Sequence, residues 1–318
     1  MFIENKTVNY TDNMPVHIDF CSIRHCIPHY HISDLEIVYC LKGNVEVTSG
    51  YEKISLSKGQ LFTTNCREIH YIHSADDNML MVIHLDLKNL SWDWDDLKYI
   101  LFVLENHDGS TKCSPVLGKI SDMMLACAVL FTESPCSTKL KSIADSMADT
   151  LCRYFSYMDY INDYEPVSDS VRQMHFKLSQ YIGNNYSRKV SISDFSQSNY
   201  MDKSHISYLI KSTVHRSFSG SLNYVRCIHA EFLLLSTSKP NEEISQLCGF
   251  SDVKYFYAKF KEWYGKTPAV YRKEFERYMS EAEDVNVFAP DEMNGFMQEY
   301  FCEYHKNRTI AECTRANL

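Results

Sequence analysis

Two periodicities divide this chain. Between residues 17 and 87 apolar positions come in short runs or alternate with polar ones, separated by glycine-bearing turns, and that pattern predicts β-strands. Glu36–Leu41 reads as an apolar strand, Lys42-Gly43-Asn44 as a hairpin turn and Val45–Thr48 as the return strand. Ile54 and Leu56 alternate with polar neighbours, Lys58-Gly59 makes another turn, and Met79–Leu87 is a long apolar strand. Many short strands joined this way predict an antiparallel sandwich or barrel. From residue 88 the apolar spacing becomes helical. Trp92–Leu104 and Val116–Phe131 are expected as apolar helices, broken by His107-Asp108-Gly109-Ser110. Lys139–Asp159 follows, with Leu140, Ile143, Met147, Leu151, Tyr154, Phe155 and Met158 on one stripe. That stripe either packs on the strand domain or forms a dimer seam.

Beyond Asp163–Ser170, a polar stretch that reads as an interdomain linker, one pattern occurs twice. In Pro240–Lys273, Asn241 is expected to cap a short helix, with Glu242 and Glu243 at its positive end and Ile244 and Leu247 on its apolar face. Cys248-Gly249-Phe250 breaks it, Gly249 supplying a permissive backbone. Ser251 or Asp252 caps the next helix, about Val253–Tyr264. Its inner stripe is Phe256, Phe260 and Trp263, and its outer face carries Lys254, Tyr257, Ala258 and Lys261. Gly265 ends it, and Thr267-Pro268 opens another. Upstream, Val190–Lys211 repeats the grammar: a helix near Ser193–Ser198, a turn through Asn199-Tyr200-Met201, and a helix capped by Asp202. This second helix has Ile206, Leu209 and Ile210 inside and Ser204, His205, Ser207, Tyr208 and Lys211 outside. Between the units, Ser219–Ser236 is amphipathic, with Leu222, Val225, Leu233 and Leu234 inward. As a helix it spans roughly 27 Å, against about 34 Å between successive major grooves on one face of a duplex. One such hairpin is an ordinary helical pair. Two of them, each with a packed back and a polar front, have the form of paired major-groove readers.

Charge sharpens this reading. The net charge is −9, but residues 170–278 hold 16 Lys+Arg against 9 Asp+Glu, while residues 1–169 hold 13 against 24 and residues 279–318 hold 3 against 8. Only the segment with the duplicated pattern is basic, as phosphate binding requires. Acidic flanks are expected to suppress non-specific DNA affinity. The 318 residues, 45% of them hydrophobic, suffice for two packed domains. Twelve cysteines without C-x-x-C pairs indicate neither a zinc site nor a disulfide framework, and fit reduced thiols in a cytoplasmic protein. The longest apolar run, Met123–Phe131, is too short to span a bilayer, and no signal-peptide pattern is read at the start. No Ser/His/Asp set, phosphate loop or paired acid and base is found, so no catalytic residue and no cofactor is assigned.

Leu222–Ser236 and Glu243–Lys273, with Val190–Lys211 upstream, resemble the DNA-binding domain of the AraC/XylS family of bacterial transcription regulators. The resemblance runs from about Arg172 to Glu276, with the turn, the aromatic core pair and Gly-x-Thr-Pro-x-x-Tyr-Arg in register. It implies base contacts from Ser204, Ser207 and Tyr208 in the first reader, and from Val253, Lys254, Tyr257 and Ala258 in the second. Two residues depart from the pattern. Ala258 stands where relatives often carry a long polar side chain, which implies a different base preference. Tyr200 stands where the first turn often has glycine, which implies an altered turn. His29–Gly43, HYHISDLEIVYCLKG, resembles the first motif of the cupin superfamily, H-x-H, four residues, E, six residues, G. The second motif is partial around Gly59–His70, with Asn65 and Arg67 where cupins usually show Pro and Gly, but His70 retained. A cupin ahead of a paired helix-turn-helix unit is a common arrangement in the AraC family, and residues 1–16 would then be an arm over the pocket's mouth.

The expected fold is therefore α+β and multidomain: an N-terminal antiparallel β cupin or jelly-roll barrel with accessory helices, and a C-terminal all-α domain with two helix-turn-helix units. The expected divisions are 1–87 (sensing domain with its arm), 88–162 (helical accessory or dimerisation region), 163–171 (linker), 172–276 (DNA-binding domain, units at 193–214 and 241–264) and 277–318 (acidic tail, with a short helix near Phe288–Phe301). The expected function is sequence-specific regulation of transcription, with double-stranded DNA, a small-molecule effector, a second copy of the chain and, for an activator, RNA polymerase as partners. His29, His31, Glu36 and His70 are the expected effector contacts. The same types bind a divalent metal in cupin enzymes, but no metal is assigned. The alternatives are a metal-dependent cupin enzyme with a helical interaction domain, and a regulator gated by a protein partner.

Overall fold

Apolar residues occupy both faces of the central strands in the N-terminal half, which is why those strands read as continuous apolar runs. The computed structural model describes residues 3–11, 14–90, 97–104, 114–156, 168–214 and 217–305, excepting the side chains at 114, 115, 209 and 211–214. β9 (Met79–Asp86) lies antiparallel between β2 (Val16–His25) and β4 (Asp34–Lys42), with Ile83 opposite both Ile18 and Ile37. Ile18, Phe20, Leu35, Ile37 and Tyr39 face an outer apolar layer, whereas Cys21, Ile23, Val38 and Cys40 face an inner one. β7 (Leu61–Thr64) extends the sheet beyond β4. β5 (Asn44–Ser49) and β6 (Glu52–Ser57) form a hairpin, and β5 pairs with β8 (His70–His73). β3 (His29–Tyr30) also pairs with β8, and β1 (Glu4–Asn5) runs parallel beside β3. Gly43, between β4 and β5, has φ +78°, and a Cβ there would run into the Asp77 carbonyl oxygen, so only glycine fits.

Helices cover the outer layer. α1 (Ser114–Glu133) and α2 (Thr138–Tyr154) pack with the sheet, α2 through Leu140, Ile143, Met147 and Leu151. The predicted stripe thus packs on its own strand domain; Tyr154 is 37% exposed and Met158 lies outside the described residues. The expected helix Trp92–Leu104 is corrected: residues 98–104 are not helical, and 91–96 lie outside the described residues. The Asn65 side chain accepts from the Phe102 N–H at 2.7 Å and donates to its carbonyl at 3.1 Å, and Thr63 donates to the Leu104 carbonyl. These bonds hold the apolar run extended beside β7 and take the backbone groups a helix would need.

The C-terminal half follows the duplicated pattern closely. α3 (Asp169–Asn185, capped by Ser168) absorbs the end of the expected linker, and residues 163–167 lie outside the described residues. α4 (Ile192–Ser198) opens with a capping box between Ser191 and Asp194, and α5 (Lys203–Val214) follows the turn. α6 (Phe218–Ser236) joins the units, contributing Leu222 to a first core with Leu178, Ile182, Phe195 and Ile206, and Leu234 to a second. α7 (Asn241–Leu247), α8 (Val253–Tyr264, capped by Asp252) and α9 (Pro268–Met279) complete the second unit. Three expectations change here. Pro240, not Asn241, is the N-cap of α7, and the Asn241 amide donates to the Tyr257 hydroxyl at 2.6 Å. Leu247 is exposed, and Cys248 is buried in its place. Tyr264 is buried where Trp263 was expected, and Trp263 is only half-buried.

The acidic tail is not a loose appendage. β10 (Asp284–Phe288) adds to β2 antiparallel, with Phe288 opposite Phe20. α10 (Pro290–Tyr304) then buries Met293, Met297, Tyr300 and Phe301 in the outer layer. The chain thus leaves the C-terminal helical half and returns to finish the N-terminal half; residues 306–318 lie outside the described residues.

Candidate functional site

On α5 the side chains of Ser204, His205 and Tyr208 are exposed and Ser207 is half-buried; the Lys211 backbone is helical, and its side chain lies outside the described residues. Asp202 fixes the start of this helix by accepting from the N–H groups of Ser204 (2.8 Å) and His205 (3.2 Å). On α8, Lys254, Ala258 and Lys261 are exposed, whereas Val253 and Tyr257 are half-buried. The Tyr257 hydroxyl accepts from Asn241, so this predicted reader is tied to α7. Phe256 and Phe260 anchor the back of α8, and Ile206 and Ile210 the back of α5, all fully buried. Each helix therefore presents a polar, partly basic face from a rigid support.

The second candidate lies in the barrel. His29 and His31 come from β3 and the residue after it, Glu36 from β4 and His70 from β8, and all four are buried. One ligand atom from each lies within 4.8 Å of the others. Nδ1 of His29, His31 and His70 donates to the carbonyls of Ile27 (2.8 Å), Lys6 (2.6 Å) and Glu68 (2.9 Å), respectively. In a neutral imidazole that leaves Nε2 as a bare acceptor. Nε2 of His31 and of His70 stand 3.1 and 3.3 Å from Glu36 Oε2, and although burial lowers the His70 imidazole, Glu36 outweighs it and raises the group. Acceptor facing carboxylate is repulsive unless a proton or a cation lies between them. Burial alone would raise the Glu36 carboxyl, but His70, His31 and His84 outweigh it and hold the group well below the usual carboxylate range. Three imidazoles fixed by backbone carbonyls around one carboxylate are a nitrogen-rich set that suits a first-row divalent ion. The four side chains pack against one another, with the His29 and His70 ring centroids 4.4 Å apart, which fits one ion better than an organic effector.

Two family models match the chain: a helix-turn-helix domain over residues 196–274 and an AraC-like ligand binding domain over residues 17–113. The chain belongs to the AraC family. Its curated relatives include an uncharacterised HTH-type regulator, YijO, of Escherichia coli K12 (27% identical over 33% of this chain and 37% of the relative). The xylose operon regulatory protein of the same strain is 29% identical over 35% of this chain and 27% of its own. The chain thus spans about a third of the length of the curated relatives it matches. Among solved structures, ToxT from Vibrio cholerae O395 is 13% identical over 84% of this chain and 99% of its own, with a TM-score of 0.45, which establishes no common overall arrangement.

Sequence reasoning missed how this AraC-family chain joins its halves. Tyr51, at the β5–β6 turn, lies 5.8 Å from Trp263, 6.1 Å from Tyr264 and 6.5 Å from Tyr224 between ring centroids. Tyr71 meets Tyr278 at 4.8 Å, and Tyr30 meets Phe232 edge-on at 4.9 Å. Ile3 is buried, and its N–H bonds the Leu235 carbonyl; the expected arm reaches the DNA-binding half, and its Lys6 carbonyl holds His31. Behind this seam, Glu231 is buried and accepts from Tyr264 (2.8 Å) and Tyr271. Burial pushes its carboxyl up to about 7 against the two hydroxyls. The available signal was an aromatic residue at a turn, where polar residues dominate.

Proposed function

We propose that the chain is a sequence-specific transcriptional regulator that reads double-stranded DNA with α5 and α8, in the cytoplasm, and acts as a dimer that engages RNA polymerase where it activates. One observation carries this reading: both candidate helices turn exposed polar faces outward while their backs are locked in separate cores. The sensor half packs behind the second unit, through Tyr51, Tyr71 and Ile3, and leaves the outward faces open. Ser204, His205, Tyr208, Lys254 and Lys261 are the side chains placed to reach base edges and phosphates. Among the described residues no helix is long and apolar enough to cross a membrane. Selection of bound sequences from a random duplex pool tests the reading. Two short enriched blocks about one helical turn apart are expected, and a pool without enrichment overturns it.

A divalent ion held by His29, His31, Glu36 and His70 is a further part of this proposal, supported by four buried ligand atoms within 4.8 Å of one another. Such an ion would take the place of the protons that His31 and His70 share with Glu36 and fix β3 and β8 together. Protein purified without chelator is expected to carry about one ion per chain. Metal-free protein whose melting point is unmoved by zinc, iron(II) and manganese(II) would end the idea.

A further inference from the structure

The two halves line an open cleft with a cavity of about 390 Å³. Its walls come from both: Tyr30 and Tyr51 from the barrel, Tyr99 from the segment after it, and Leu178, Tyr224 and Phe232 from α3 and α6. That size lies at the small end of the usual range for small-molecule sites. We propose that this cavity binds an aromatic carboxylate, a flat apolar body carrying one anionic group, and that the ligand fastens the sensor half to the DNA-binding half.

Three features select that class. The body must be apolar and suits a ring, because five aromatic side chains line the space and rings favour edge-to-face and offset partners over an equal area of aliphatic chain. The head must be anionic: Arg67 and Lys98 line the cavity, and no Asp or Glu is among its described lining residues. Arg67 forms no ion pair among the described residues, and its planar fork matches a carboxylate in two-point fashion. Two polar atoms on the wall also lack partners, the hydroxyl of Ser221 and Nδ1 of His175, both removed from solvent. Buried groups of this kind ordinarily find a hydrogen bond, and a carboxylate accepts from the Ser221 hydroxyl. His175 and His229 stay neutral around neutral pH, since burial first, and Arg172 and Arg67 respectively, bring each to about 4. The cationic groups facing the head are therefore Arg67 and Lys98.

The position of Arg67 ties the cavity to the barrel cluster. Its backbone is left-handed, with φ +63°, and its N–H donates to the His31 carbonyl at 2.6 Å. A ligand held by Arg67 on one side and by α3 and α6 on the other binds only while the halves keep this arrangement, and so stabilises it by differential affinity. Binding stands apart from the DNA-reading proposal; only its regulatory consequence rests on that reading.

The test uses the full chain without DNA and four probes: 2-naphthoate, its uncharged methyl ester, octanoate and acetate. Calorimetric titration and thermal shift are expected to show 2-naphthoate binding at least tenfold more tightly than each of the others. Arg67→Asn, which keeps a residue tolerant of the left-handed backbone, is expected to weaken it at least tenfold, and Ile228→Trp, which fills the cavity, to abolish it. Circular dichroism and melting of both variants confirm that they fold. Equal affinity for the ester overturns the anionic head, and equal affinity for octanoate overturns the aromatic class. Undiminished binding in folded Ile228→Trp overturns the location. Absence of 2-naphthoate binding to the wild-type chain overturns the proposal, and leaves the duplex-selection result independent.

Discussion

The two helix-turn-helix units solve the same turn with different residues. In each, the residue after the first helix's C-cap is left-handed: Tyr200 at φ +53° and Gly249 at φ +75°. In each, the next N–H reaches back five residues, Met201 to the Ser196 carbonyl at 3.1 Å and Phe250 to the Ser245 carbonyl at 3.0 Å. The shared backbone pattern is a glycine-favouring helix stop. What differs is the surroundings. A Cβ on Gly249 would lie 2.5 Å from the Tyr186 carbonyl oxygen and 2.6 Å from the Ser187 carbonyl carbon. Tyr200 is 99% exposed and approaches nothing. Glycine is compulsory at the second turn because another strand of backbone crosses it, whereas at the first turn only the intrinsic cost of the left-handed conformation applies.

The largest expected effect tests that contrast. Gly249→Ala should destabilise the chain by about 4 kcal/mol, because the obstructing backbone cannot yield. The Arg226 guanidinium holds it, donating to the Tyr186 carbonyl at 2.8 Å and the Arg188 carbonyl at 3.0 Å. Urea unfolding of the variant checks this. A loss below about 1 kcal/mol would mean the crossing segment relaxes, and the two turns would then differ only in residue choice.

The units also differ in core chemistry, and this yields a pH dependence. The first core is built from Leu178, Ile182, Phe195, Ile206 and Leu222. The second encloses the Glu231 carboxyl between Tyr264 and Tyr271, with burial pushing it up to about 7 from a usual 4.5. A raised value means the folded chain holds a proton there that the unfolded chain releases. Glu231 therefore contributes stability fully below about pH 4.5, and the contribution is lost as pH rises to about 7, by on the order of 3 kcal/mol. His175 and His229, lowered to about 4, act in the opposite direction below about pH 6.5, so the readout is a difference. Wild type and Glu231→Gln are compared by denaturation at pH 5 and pH 8. The wild type should lose more stability between the two, and equal losses would show that the carboxyl is not protonated in the fold.

These contrasts explain what the sequence disclosed. The Asp202 and Asp252 caps, the turns and the Phe256–Phe260 pair are local and were legible, as was the H-x-H and Glu pattern that brings His29, His31 and Glu36 together; the expected Asn241 cap was not, because its amide is turned to Tyr257. Trp263 and Tyr264 both fall within a helix's apolar stripe, so spacing alone cannot rank them. Tyr264 is drawn inward by Glu231 and Tyr271, and Trp263 outward to Tyr51, a partner more than two hundred residues away. The run before Leu104 has a helical composition, but Asn65 claims its backbone groups. The return of the acidic tail to β2 is a sheet pairing between chain ends, and such pairings leave no mark in local pattern.

The smallest expected effect is the sharpest on the comparison, because its sign is opposite. Replacing Tyr200 by glycine removes a left-handed cost of roughly 1–2 kcal/mol and adds a backbone-entropy cost of about 0.5–1 kcal/mol. The ring is 99% exposed, so no burial is lost. The Schellman-type bonds of Tyr200 and Met201 to the Gln197 and Ser196 carbonyls need only the backbone and survive the change. Tyr200→Gly should therefore stabilise the chain by about 0.5 kcal/mol, seen as a rise in the urea midpoint at unchanged slope. A destabilised variant would show that the exposed tyrosine is held by something other than its own backbone, and the first turn would no longer be the unobstructed counterpart of the second.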